Sequence, residues 1–146
     1  MGWTRNPMQP EFSRRGPIPF ANPTVPFRAQ RPVVLVVSTD SDLREASARA
    51  LAREGYAVVT AAHGGHAVLA CLRAGHVDVL AADLSMEDLS GPALAARLRR
   101  LCPGMSTVYF GKSGTAECAG VLVRPFTRDD LLAAVALATT LTASAS

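Results

Sequence analysis

The order of apolar runs and capped helices in this 146-residue chain predicts an α/β fold, a doubly wound parallel sheet with helices on both faces. Three observations carry that expectation. Val33-Val34-Leu35-Val36-Val37 and the run from Val77 to Ala82 are almost unbroken in apolar residues, as strands covered on both faces are. Each run ends in polar residues, Ser38-Thr39-Asp40 after the first and Asp83 after the second, and each is followed by a helix start. The remaining segments alternate in the same way, giving β α β α β α β β α, and units of this size require parallel strands joined by right-handed crossovers. Asp83 then stands at the carboxyl end of a central strand, the edge at which open α/β sheets place their ligands.

Taken in order, residues 1–31 contain Pro7, Pro10, Pro17, Pro19, Pro23 and Pro26 and show neither helical nor strand periodicity, so an extended or disordered tail is expected there. After the first strand a helix over about 42–54 has Leu43, Ala46, Ser47, Ala50 and Leu51 on one stripe, and Gly55 as its stop. Residues 56–61 form the second strand, and His63-Gly64-Gly65 turns the chain into a small helix over about 66–73 closed by Gly75. After the Val77 strand, Ser90-Gly91-Pro92 supplies a capping serine and a first-turn proline for a helix over about 92–101, with Leu94, Ala95, Leu98 and Leu101 inward. Residues 106–110 are the fourth strand and 120–123 the fifth. A last helix starts at Thr127, where Thr127 and Asp130 make a capping box and Leu131, Leu132, Val135 and Leu141 an apolar stripe. One domain is expected over residues 32–142, with 143–146 as a short tail.

Composition narrows the function. With 49% apolar residues the chain is long enough for one ordinary core. No apolar run approaches the roughly 18 residues of a membrane span, and the N-terminus lacks the hydrophobic block of a signal peptide, so a cytoplasmic protein is expected. The net charge of +3 lies in the tail: residues 1–31 hold five arginines against Glu11, a net +4, which leaves the rest of the chain at −1. That distribution argues against a nucleic-acid face on the fold. Cys71, Cys102 and Cys118 lack metal-ligand spacing and are expected as reduced, small apolar residues. His63, His66 and His76 are read as surface histidines, since no ordered acid or base accompanies them, and enzymatic activity is not expected.

At this level of detail the chain resembles the receiver domain of bacterial response regulators, over about residues 31–141. Asp83-Leu84-Ser85-Met86-Glu87-Asp88-Leu89-Ser90-Gly91 is similar to the family's phosphoacceptor strand and loop, with Glu87 and Ser90 in place of a proline and a second aspartate. Val123-Arg124-Pro125-Phe126-Thr127 resembles the family's Val-Lys-Pro-Phe-Thr signature. The resemblance implies a flavodoxin-like fold with strand order 2-1-3-4-5 and a site in which Asp83 is the phosphoacceptor equivalent. Receivers hold Mg²⁺ with that aspartate, an acidic pair after the first strand and a backbone carbonyl, here that of Ser85. The acidic pair falls on Ser38 and Thr39, neither of which carries charge, with Asp40 next in line. Arg124 takes the family lysine's place. The switch hydroxyl position falls on Gly111 and the aromatic switch position on Val121. Between Gly111 and Gly120 lie only eight residues, so the fourth helix of the family is expected to be shortened or missing, leaving an apolar patch beside strands three to five.

These departures point to a degenerate receiver, a pseudo-receiver that binds proteins without being phosphorylated, in which Arg124 pairs with Asp83 and no cofactor is required. The alternative is a working single-domain response regulator phosphorylated on Asp83, with Mg²⁺ held by Asp83, Asp40 and the Ser85 carbonyl. In either case no output domain is expected after the last helix, so the expected partner is a histidine kinase or other signalling protein, or a second copy docked through the face beside the fourth and fifth strands. Neither nucleic acid nor membrane is expected as a partner.

Overall fold

Both apolar runs become central strands because their side chains are buried in both directions. The computed structural model describes residues 31–112 and 120–145. In it β1 (Val33–Val37) buries every residue after Val33, and β3 (Val79–Asp83) is buried from end to end. Side chains alternate across a strand. Val34 and Val36 of β1 and Val79 and Ala81 of β3 therefore enter one apolar layer, while Leu35, Val37, Leu80 and Ala82 enter the other.

The helices that cover these layers are α1 (Ser41–Arg53) and α4 (Arg128–Ala145) on one face, and α2 (Gly64–Ala74) and α3 (Gly91–Arg99) on the other. Leu51 of α1 packs with Leu131, Val135 and Ala138 of α4. Ala67 and Cys71 of α2 pack with Leu94, Ala95 and Leu98 of α3. With β2 (Ala57–Ala61), β4 (Ser106–Gly111) and β5 (Val121–Val123), the sheet has the order β2-β1-β3-β4-β5, all parallel. This is the flavodoxin-like arrangement that the sequence predicts.

Local signals place the boundaries. Asp40 caps α1 by accepting from the N–H groups of Asp42 and Leu43, and Ser90 Oγ caps α3 through the Ala93 N–H at 3.2 Å. The Thr127–Asp130 box forms in both directions, each N–H donating to the other side chain at 3.0 Å. Gly75 ends α2 with φ +77°, a left-handed conformation that glycine adopts without strain.

Some expectations are corrected. Leu101 is 46% exposed because α3 stops at Arg99 and it is Cys102, not Leu101, that enters the apolar layer. Leu141 is 57% exposed, since it lies roughly a quarter turn off the Leu131–Val135–Ala138 stripe. The stripe of α1 keeps Ser47, Ala50 and Leu51 inward, but Ala46 is exposed. Residues 143–145, expected as tail, continue α4. The proline-rich segment 1–30, Cys118 and the β4–β5 link at 113–119, where the shortened or missing helix is expected, lie outside the described residues.

Candidate functional site

The site forms where β1 and β3 end side by side. Val37 lies opposite Ala82 in the sheet register, so Ser38 and Asp83 are the next pair. Strand alternation sends both toward the α1/α4 face. Asp83 is 8% exposed and Ser38 is fully buried. A buried carboxylate needs hydrogen-bond donors, and the loop after β1 supplies them. The Ser38 hydroxyl donates to Asp83 Oδ2 at 3.1 Å, the Thr39 N–H at 3.0 Å and the Thr39 hydroxyl at 3.4 Å. The Ser38 Oγ also accepts from the Asp40 N–H at 3.1 Å, and Arg44 in the first turn of α1 donates from Nη1 to the Ser38 carbonyl at 2.7 Å. The loop is thus held from below by Asp83 and from the side by Arg44.

Arg124 does not pair with Asp83 as the sequence reading expected. Its Nη1 donates to Asp40 Oδ2 at 3.1 Å, in an ion pair that is partly exposed on both sides. The reason is the cap: Asp40 Oδ1 is fixed by the first N–H groups of α1, which leaves Oδ2 turned toward the chain emerging from β5. The Leu43 N–H, the guanidinium of Arg124 and the Asp42 N–H together hold the Asp40 carboxyl below its ordinary range, against a smaller opposing effect of desolvation.

Above these groups lies a cavity of about 580 Å³, with Asp83, Asp40 and Glu87 among its acids and Lys112 and Arg124 as its cations. Thr39, Ser85, Met86 and Phe110 also line it. Gly111 ends β4 without a hydroxyl to offer, and its carbonyl accepts from the Arg124 N–H at 3.0 Å. Val121 opens β5 opposite Tyr109 and is half-buried. Phe126 stacks on Phe110 with ring centroids 5.5 Å apart, and the Arg124–Pro125 peptide is cis.

The β3–α3 loop carries an anchor that the sequence reading did not assign. Asp88 accepts from the N–H groups of Gly64 and Gly65 at 3.4 and 3.2 Å, tying the loop to the start of α2. Desolvation pushes its carboxyl up, but the Gly65 and Gly64 N–H groups, with its own backbone N–H and the nearby His63, together leave the pKa below the ordinary value. The available signal was the paired glycines, whose exposed N–H groups at a helix start attract an acid. His63, His66 and His76 are all exposed, and His63 accepts from the His66 N–H as the cap of α2. Among the described residues, no three His, Cys, Asp or Glu side chains are grouped to hold a metal ion, and no helix is long and apolar enough to cross a membrane.

Residues 34–136 match the model of the response regulator receiver domain, which covers most of the chain. The chain belongs to the response regulator receiver family. As a receiver domain it is a module of two-component signalling. It is similar to the transcriptional regulatory protein GlrR of Escherichia coli K12, at 32% identity over 70% of this chain and 25% of GlrR. It is also similar to the transcriptional regulatory protein TcrA of Mycobacterium tuberculosis, at 33% identity over 68% of this chain and 43% of TcrA. It spans less than half the length of these two curated relatives. Among solved structures, a response regulator receiver domain from Clostridium thermocellum has the same fold, with a TM-score of 0.69 at 22% identity over 79% of this chain and 99% of that one.

Proposed function

We propose that this receiver acts as a phosphorylation-independent protein-interaction module in a two-component or phosphorelay pathway. The observation that carries the reading is the capture of Asp83 Oδ2 by three donors from the Ser38–Thr39 loop. In a working receiver the phosphoacceptor and an acidic pair would present oxygens to a hard dication. Here two of those positions hold hydroxyl side chains that donate to the aspartate instead of joining it as ligands. The acid next along the loop, Asp40, has one oxygen in the α1 cap and the other on Arg124. This donor set does not fit Mg²⁺. Gly111 and Val121 add to the same reading, because the hydroxyl and the ring that would couple a phosphoryl group to β5 are both absent.

The second reading, a working response regulator phosphorylated on Asp83, draws on one observation: Asp83 opens onto a cavity that also holds Lys112 and Arg124, cations suited to a phosphoryl group. Incubation with acetyl phosphate and Mg²⁺, followed by mass spectrometry and by beryllofluoride titration, separates the two. The expected result is no acyl phosphate and no magnesium-dependent beryllofluoride binding. A phosphorylated Asp83 peptide overturns the proposal. Under the proposed reading the partner is a kinase or other signalling protein, or a second copy through the β4/β5 face, recognised with Asp83 intact or replaced. Capture of a sensor kinase that survives Asp83→Asn supports it, and loss of that capture supports the rival.

A further inference from the structure

Away from the pocket, the fold brings two of the chain's three thiols into contact. Cys71 lies in the last turn of α2 and Cys102 three residues beyond α3, and their Sγ atoms are 3.5 Å apart. Both are free, and they are only 2% and 7% exposed within the layer that includes Ala67, Leu94 and Leu98. A disulfide bond spans about 2 Å, so the sulfurs need to approach by roughly 1.5 Å. Burial pushes the Cys71 thiol up to about 11, with Cys102 adding to the rise. The same two helices are already joined at their other ends, where Asp88 of the loop entering α3 holds the Gly64 and Gly65 N–H groups.

We propose that Cys71 and Cys102 are a reversible redox-modification site, closing to a disulfide that staples α2 to α3 when a small peroxide reaches them. The sulfur of Cys102, the more exposed residue of the two, attacks a peroxide oxygen. The S–O bond forms as the O–O bond breaks, leaving a sulfenic acid on Cys102, and the departing hydroxide takes the Cys102 thiol proton as the first water. The Cys71 sulfur, already in contact, attacks the sulfenic sulfur. The S–S bond forms, the S–O bond breaks, and the hydroxyl leaves with the Cys71 proton as a second water. Two thiols surrender two electrons, one hydrogen peroxide becomes two waters, and a dithiol reductant reverses the exchange.

The test uses the full chain carrying Cys118→Ser, so that the third thiol does not compete. It is exposed to hydrogen peroxide under native conditions, blocked with an alkylating reagent and digested with trypsin. The expected product has lost two hydrogens, shows a cross-link joining residues 54–73 to 101–112, reverts with dithiothreitol, and melts higher by roughly 5 °C. Cys71→Ala in the same background is expected to lose both the cross-link and the rise. Two thiols that remain free, a sulfinic acid on Cys102 beside an alkylated Cys71, or a cross-link that arises only in denaturant overturns the proposal, and a melting temperature that falls on oxidation does the same.

Discussion

At the scale of single residues, Asp83 is a tie between two strand ends. Replacing it with Ala leaves the buried Ser38 hydroxyl and the partly buried Thr39 N–H without their acceptor. The expected loss is about 1–3 kcal/mol of unfolding free energy in urea titration, with Asp83→Asn losing less because it keeps one acceptor oxygen. Arg124→Ala is expected to cost under about 1 kcal/mol, since its ion pair with Asp40 is partly exposed and screened by solvent. Protonation follows from the same contacts. The Asp40 and Asp88 carboxyls are both held below their ordinary range in the folded chain, so the unfolded chain takes up protons more readily than the native one. Their contribution is complete above about pH 4 and is lost as pH falls through the folded values. Melting temperature measured across acid pH is therefore expected to drop below about pH 4, and Asp40→Asn, which keeps the cap, is expected to soften that drop.

At the scale of elements, the joint between β3 and α3 is the tightest. A Cβ built on Gly91 would stand 2.5 Å from the Asp83 carbonyl and 2.9 Å from the Tyr109 ring, and the Gly91 N–H donates to the Leu84 carbonyl at 2.9 Å. Glycine is required there because backbone approaches backbone. Gly91→Ala is expected to destabilise the fold by about 1–3 kcal/mol in chemical denaturation, through displacement of the loop that lines the cavity. Ser90→Ala, which removes only the cap, is expected to cost about 0.5–2 kcal/mol. The elements themselves were legible: apolar runs gave the strands, and Ser90, Gly75 and the Thr127–Asp130 box marked helix ends that the structure keeps. The ends of α1, α2 and α3 moved by one or two residues because capping hydrogen bonds, and not apolar spacing, set the first turn.

At the scale of the whole molecule, two apolar layers on a five-stranded sheet carry the stability. Leu94 is fully buried in the α2/α3 layer, so Leu94→Ala is expected to cost about 2–5 kcal/mol. Leu137, 63% exposed on the outer side of α4, is expected to stay within about 0.5 kcal/mol of the parent when changed to Ala. The same denaturation experiment checks both, and equal losses would contradict the layer assignment. One-dimensional reading stops at Leu141: the sequence pattern puts it on the apolar stripe with Leu131 and Val135, yet it is 57% exposed, and only the packing of the helix against the sheet decides between the two.

The sequence by itself determined the strand–helix order, the parallel sheet and the position of Asp83 at the carboxyl edge, because periodicity and capping are local and a buried strand must be apolar throughout. The resemblance to receivers named Ser38, Thr39, Asp40, Asp83, Gly111, Val121 and Arg124 as site positions, and of these Thr39, Asp40, Asp83 and Arg124 line one cavity. What only the tertiary structure decided is who bonds to whom. Ser38 lies 45 residues from Asp83, and Arg124 lies 84 residues from Asp40. A carboxylate takes the donors nearest in space, so the β1–β3 register gave Asp83 to the Ser38–Thr39 loop, and the α1 cap turned Asp40 toward Arg124.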